Sequence, residues 1–327
     1  MLLRLIPDNT TYNFVGRRKI AYIFSVILIA ASIGLFMTRG LNLGIDFVGG
    51  TLLEVKTEQG TGVSDFREAL GGLGLGDVQI QEFGAPDDLL IRIQRQPGDD
   101  VAQQAALQKA KDAIDSMVAV DANGDKEYRR TEVVGPTVGA ELQKAAIYAI
   151  CFSIGAIMLY IWLRFEWQFG ICAVVALLHD VITTIGLFAL LQLEFNLATV
   201  AALLTIAGYS INDTVVIFDR VREFLRKYKT MSLPDLFNIA VNSTLSRTTM
   251  TALTTLLALA ALAVFGGGVI RDFSIALIWG ITIGTYSSIC IAVPLLLVLE
   301  PHRGDDVGTS DEAKAEQAQP RPRHLRA

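Results

Sequence analysis

The sequence predicts a polytopic α-helical membrane protein with one soluble α+β domain inserted after its first spanning helix. Three observations predict it. Hydrophobic residues fill 52% of the 327 positions and charged residues only 19%, with a mean hydropathy of +0.44, a balance more apolar than soluble domains carry. Six apolar runs approach the ~20 residues needed to cross a ~30 Å hydrocarbon core. Between the first two lies a polar stretch of roughly 100 residues, the size of an independent domain, in which no run reaches spanning length.

The same composition excludes other classes. A formal net charge of −5 argues against nucleic acid, whose binding needs a concentrated basic face. Cys151, Cys172 and Cys290 all sit in apolar runs, so no disulfide framework, no zinc site and no cofactor is expected.

Residues 1–19 include Arg4, Arg17, Arg18 and Lys19 and precede the first apolar run, residues 20–38. Basic followed by apolar also describes a signal peptide. The run is long for one, however, and no small-residue cleavage site follows, so it is expected to stay as the first transmembrane helix. Residues 39–141 read as strand 51–57, helix 63–70, strand 78–83, strand 89–94, helix 101–118 and strand 127–134. That βαββαβ order predicts a ferredoxin-like α+β sandwich. Residues 142–300 hold the other five runs, 145–163, 169–191, 197–218, 248–265 and 273–299. Between the fourth and fifth helices, a loop expected at 220–245 carries Arg220, Arg222, Arg226, Lys227 and Lys229, which makes it cytoplasmic by the positive-inside rule, as is the basic N-terminus. An even number of spans places both termini in the cytoplasm and the α+β domain outside, so the two assignments agree. Residues 301–327, rich in Asp, Glu, Gln, Pro and Arg, show no apolar periodicity and are expected to be a disordered cytoplasmic tail.

Ionisable residues inside spanning runs are costly and seldom idle. Asn212, Asp213 and Asp219 interrupt the fourth run, which closes with Arg220 and Arg222. Helical spacing puts Tyr209, Ser210 and Asp213 on one side of that helix. Ser243, Thr244, Arg247, Thr251 and Thr254 repeat at similar spacing in the fifth and are expected to face the bundle interior, where Asp213 and Arg247, at matched depth, can meet. In the third, His179 and Asp180 sit near mid-span with Thr183 and Thr184 one turn on, either a structural cluster or a proton-path station. Arg247 also fits a cation that snorkels to the cytoplasmic interface, and Asp219 beside Arg220 fits a solvated helix end as well as a relay.

Three weaker patterns are set aside. Gly71, Gly72, Gly74 and Gly76 imitate a nucleotide fingerprint but follow a helix rather than linking a strand to one. Asp121, Asn123, Asp125 and Glu132 match part of a calcium loop, with Lys126 where that loop needs glycine. Gly280 and Gly284 form a small-xxx-small pair, the mark of close helix packing.

Longer motifs are more specific. GLNLGIDFVGG (40–50), VGPTVGAEL (134–142), RFEWQ (164–168), LLHD (177–180), GYSINDTVVIFDRVRE (208–223), LSRTTMTALTTL (245–256), FGG (265–267) and GTYSSI (284–289) together resemble the SecD/SecF family of protein-export membrane proteins, from about residue 16 to 299. The resemblance implies half of an RND-type bundle, with six transmembrane helices and one periplasmic domain between helices 1 and 2. It implies pairing with SecD, whose helices complete a pseudo-twofold bundle in the bacterial inner membrane. It also implies association with the SecYEG channel, with YajC and YidC, and use of the proton motive force to finish moving an unfolded preprotein after the phase driven by SecA. Asp213 matches the family's proton-responsive aspartate and Arg247 its partnering arginine, while Asp180, His179, Asp219, Asn212 and Ser210 remain secondary relay or structural polar residues. The alternatives are an RND-type proton-coupled small-molecule exporter subunit, which normally carries both halves, and an intramembrane aspartyl protease using Asp180 and Asp213. The protease chemistry needs two carboxylates sharing a proton, which Arg247 nearby opposes, and no GxGD pattern surrounds Asp213.

Overall fold

The computed structural model describes residues 10–301 apart from 59, 84, 99, 122, 123 and 267, so the expected disordered tail lies outside the described residues except at its first position. In chain order the elements are α1 (Arg18–Arg39), β1 (Asn42–Leu43), α2 (Ile45–Val48), β2 (Gly50–Lys56), α3 (Val63–Gly71), β3 (Val78–Phe83), β4 (Ala85–Ile93), α4 (Asp100–Ile114), β5 (Tyr128–Val134), α5 (Pro136–Arg164), α6 (Trp167–Leu191), β6 (Glu194–Phe195), α7 (Leu197–Lys227), α8 (Leu233–Phe265), α9 (Gly268–Ser287), a π-helical segment (Ser288–Ala292) and α10 (Val293–Leu299).

Among the described residues six helical spans are long and apolar enough to cross a membrane: α1, α5, α6, α7, α8, and α9 continued through the π segment into α10. Their bounds follow local chemistry. Asn196 caps α7 by accepting from the Thr199 amide at 3.1 Å, and Ser232 caps α8 through the Asp235 amide at 3.3 Å, with Pro234 in the first turn. These caps correct the expected 220–245 loop. Helix α7 runs on to Lys227 through good helix formers, α8 begins at Leu233, and the connection shrinks to residues 228–232. Spans α6, α7 and α9 form the buried middle of the bundle, whereas α1, α5 and α8 stay largely exposed.

The soluble domain has the expected βαββαβ order. Its antiparallel sheet runs β3-β4-β2-β5, with the last strand beside the first, the split βαβ arrangement. Helices α3 and α4 cover one face, where Phe66, Leu70, Ala110 and Ile114 pack on Leu53, Val55, Ile91 and Ile93. Strand β4 starts at Ala85, four residues before the expected 89, and the second helix ends at Ile114 before a short 3-10 turn. Gly50 opens β2 at φ +128°, and a Cβ there would lie 2.6 Å from the Ile93 carbonyl oxygen, so this position takes glycine alone.

Three short elements that the sequence reading passed over tie this domain to the bundle. Strands β1 and β6 pair in parallel, Asn42 opposite Glu194 and Leu43 opposite Phe195. The Gly44 amide donates to the Phe195 carbonyl at 2.9 Å. Asp46 of α2 accepts from the Leu197 amide at 2.9 Å, satisfying a free donor at the start of α7. From the sheet, Arg92 reaches Glu194 at 2.5 Å and donates to the Asn42 side-chain oxygen at 3.1 Å. The domain is thus fastened to the N-terminus of the helix that carries Asp213.

Candidate functional site

Most of the bundle is apolar, and its polar side chains gather where α6, α7 and the end of α9 meet. Helix α7 turns Ser210, Asp213 and Thr214 inward. Helix α6 supplies His179 and Asp180, both buried. The π segment follows α9 at the same level, and its extra residue per turn lets the consecutive Ser287 and Ser288 both point inward. Close approach is secured by Gly280 and Gly284. A Cβ on Gly280 would collide with Ile206 of α7, and one on Gly284 would stand 3.2 Å from Ser210 Cβ.

The two buried carboxylates differ in what surrounds them. Asp180 is fully enclosed: its Oδ1 lies 2.9 Å from His179 Nδ1, and its Oδ2 accepts from Ser210 at 2.6 Å and Ser287 at 2.8 Å. Thr183 and Thr184 return their hydroxyls to the Asp180 carbonyl at 3.1 and 2.7 Å. Thr214 and Ser288 hydrogen-bond each other at 2.7 Å, and Ser288 donates to the Ser210 carbonyl at 3.3 Å. Asp213, one turn from Ser210, is buried too, yet its Oδ2 has no hydrogen-bond partner. Arg247 and Thr285 are the groups whose charge and dipole reach it, and no ion pair joins Asp213 to Arg247 among the described residues. A carboxylate with its acceptor sites filled holds helices in place. One left under-satisfied can exchange partners.

Ser210 therefore belongs with Asp180 rather than with Asp213. Asn212 is exposed on the opposite face of α7, in line with Gly208, Thr205 and Ala201. Asp219 is also exposed, held by Arg164 at 2.9 and 3.2 Å at the far end of the bundle, away from the buried node. The expected inward stripe on α8 is corrected. Ser243, Arg247, Thr251 and Thr254 lie on the exposed face of this chain, and Thr244 and Thr248 turn in instead. The exposed threonines satisfy themselves on their own helix, Thr251 donating to the Arg247 carbonyl at 3.1 Å and Thr254 to the Met250 carbonyl at 2.9 Å. Helices α7 and α8 thus present a polar strip, with a cation in it, that none of the described residues covers.

Sequence reasoning missed Thr214, Thr285, Ser287 and Ser288. Four polar residues in a row, Thr285 to Ser288, inside an apolar helix were the available signal. Tyr286 in that run ties in α1, donating to the Ala21 carbonyl at 2.9 Å and meeting the Ser25 hydroxyl at 3.0 Å.

Comparison with known proteins agrees with this architecture. Residues 114–302 match the family described as protein export membrane protein SecD/SecF, C-terminal, and residues 34–61 match the SecD/SecF GG motif. The chain is 46% identical over 316 residues to the protein translocase subunit SecF of Cereibacter sphaeroides, covering 96% of each. It is 45% identical over 320 residues to that of Magnetococcus marinus, covering 98% of this chain and 100% of the relative. Among solved structures it is similar to SecDF, a translocon-associated membrane protein from Thermus thermophilus, with a TM-score of 0.79 and 35% identity over 90% of this chain. SecDF in its super-membrane-facing form gives 0.64 and 34% over 95%. In both cases this chain spans 40% of the SecDF chain's length.

Proposed function

Because the chain belongs to the SecD/SecF family of protein-export membrane proteins, we propose that it works with a SecD partner as a proton-driven subunit of the Sec protein translocase. In this reading it is a multi-pass protein of the bacterial inner membrane with both termini cytoplasmic and a ferredoxin-like domain in the periplasm. Together with SecYEG, YajC and YidC, it completes the passage of an unfolded preprotein after the SecA-driven phase.

One observation carries the proposal: a buried, under-satisfied carboxylate, Asp213, lies within electrostatic reach of Arg247, which stands on a polar helix face that the described residues leave open. Lipid cannot satisfy the exposed Arg247 guanidinium on that face, so a membrane partner of matching polarity fits it. Protonating Asp213 removes its charge, and Arg247 then loses one attraction and shifts towards other acceptors on the partner side. Each proton that crosses supplies ~2.3 kcal/mol per 100 mV, so a few suffice to tilt α7. The tilt reaches the soluble domain through Asp46 and the pair Arg92 and Glu194, which hold the N-terminus of α7. Asp180 is left out of the relay as the anchor of α6, α7 and α9.

The test uses proteoliposomes holding the full translocase and a preprotein stalled late in transit. Asp213→Asn is expected to abolish the gain in completed translocation that an imposed proton gradient produces, at unchanged membrane levels and with the SecA-driven phase intact. An undiminished gain sinks the reading.

A further inference from the structure

At the end of the bundle opposite the soluble domain, the ends of α5 and α7 border two adjoining depressions that the proposed relay does not use. The first, about 470 Å³, is lined by Arg164, Arg222, Arg226 and Lys227 with Asp219 and Glu223, four cations against two carboxylates. The second, about 290 Å³, shares Arg164, Arg222 and Arg226 and adds Leu163, Phe165, Glu166, Phe169 and Leu225. The two depressions therefore adjoin across a row of arginines, with the exposed Leu163 beside the second.

The ion pairs at this end do not use up its positive charge. Arg164 pairs with Asp219, and Glu223 is taken by Arg220 from outside the cleft, at 2.6 Å, which leaves Arg222, Arg226 and Lys227 outside these pairs. Arg222 is nonetheless held in place, donating to the Arg164 carbonyl at 3.1 Å and lying 5.9 Å from the Phe165 ring centroid. Guanidinium groups oriented this way suit the paired oxygens of a phosphate. The depth of the site indicates where the phosphate comes from. Leu163, at the rim, is 80% exposed, and Trp162 and Trp167 flank the same turn with exposed indoles, the arrangement of a membrane-water boundary.

We propose that this cleft binds one anionic phospholipid, its phosphate against Arg222, Arg226 and Lys227 and the first carbons of an acyl chain against the exposed Leu163. A basic pocket between spanning helices at headgroup level attracts such lipids by charge, and here the exposed Leu163 and Trp162 beside it offer apolar contact to the chain. A bound lipid bridges the ends of α5 and α7 and limits how far the Asp213 helix can swing at this end.

The test is native mass spectrometry of the full chain in non-ionic detergent, titrated with dioleoylphosphatidylglycerol, with dioleoylphosphatidylcholine, or with glycerol 3-phosphate alone. The wild type is expected to retain phosphatidylglycerol at concentrations at least tenfold lower than phosphatidylcholine. The double variant Arg226→Gln/Lys227→Gln, which leaves every hydrogen bond named above intact, is expected to bring that preference to within twofold. Lys19→Gln, which removes an exposed cation at the same end of the bundle, is expected to leave it unchanged. Equal retention of the two lipids by the wild type, full preference in the double variant, or retention of glycerol 3-phosphate as tight as that of the lipid each overturns the proposal, the last by assigning the site to free anions.

Discussion

Replacing Arg92 tests whether the soluble domain is mechanically tied to α7, the helix that carries Asp213. Arg92 sits on β4 and Glu194 just ahead of α7, their charged atoms 2.5 Å apart and both side chains only 11% exposed. Arg92→Ala leaves Glu194 without this partner in a poorly solvated junction. Removing one member of a buried pair costs ~3–5 kcal/mol, and the lost bond to Asn42 adds about 1 kcal/mol. The pair is not wholly enclosed, so about 3 kcal/mol in total is the appropriate figure, confined to the β1–β6 junction. At 1.4 kcal/mol per tenfold, the junction should open on the order of 100-fold more often. Hydrogen exchange reads this directly at the Gly44 amide, bonded to the Phe195 carbonyl, with the β2–β4 ladder as an internal standard that should not move. Arg92→Leu/Glu194→Leu removes both charges together and should recover most of the protection, since an apolar pair of similar size commonly replaces a buried ion pair at little cost. If Gly44 exchanges at the wild-type rate in Arg92→Ala, or if the double variant is as unprotected as the single, the junction is held by backbone pairing alone and the tie is not electrostatic.

Asp180→Ala strips the acceptor from His179, Ser210 and Ser287 at once. At ~1–3 kcal/mol per buried group left unpaired, it should lower thermal stability and yield at every pH, unlike Asp213→Asn, which should spare both. Glu54, opposite Arg130 in the sheet, is pushed above the ordinary carboxylate range by burial, with Arg129 and Arg130 opposing the shift. The folded domain therefore holds its proton more tightly than the unfolded chain. The cost appears as pH rises from the unfolded value of ~4.3 through the folded one, and is absent below both. Glu54→Gln should accordingly stabilise the sheet at pH 7 and lose its advantage near pH 4, measured as amide exchange across β2 and β4.

The element types were legible because they rest on local rules. Spanning length, period-2 strands and turn residues located the six spans and the βαββαβ order, and the errors fell where a local rule gave way to a tertiary contact. Glu194 and Phe195 have no strand signal of their own. They are extended because Asn42 and Leu43 lie alongside, 152 residues away in sequence. The 220–245 stretch reads as a loop because its charges break the apolar run, yet charge does not end a helix, and Arg220 to Lys227 remain helical past the apolar run.

Within the site, periodicity identified the polar faces but not which way they turn. Ser210 and Asp213 share a face and both point inward, so the same rule applied to Ser243, Arg247, Thr251 and Thr254 predicted another inward stripe. Helical spacing reports only that a face is not lipid-like. It does not distinguish a core within one chain from a surface that a second chain must cover, and the burial of Thr244 and Thr248 shows that α8 had inward polar positions to use. That Arg247 projects outward while the unsatisfied oxygen of Asp213 stays within is the asymmetry that the proposed two-chain relay would require: the carboxylate is shielded by its own bundle, and the cation stands where an acceptor on a second chain could compete for it.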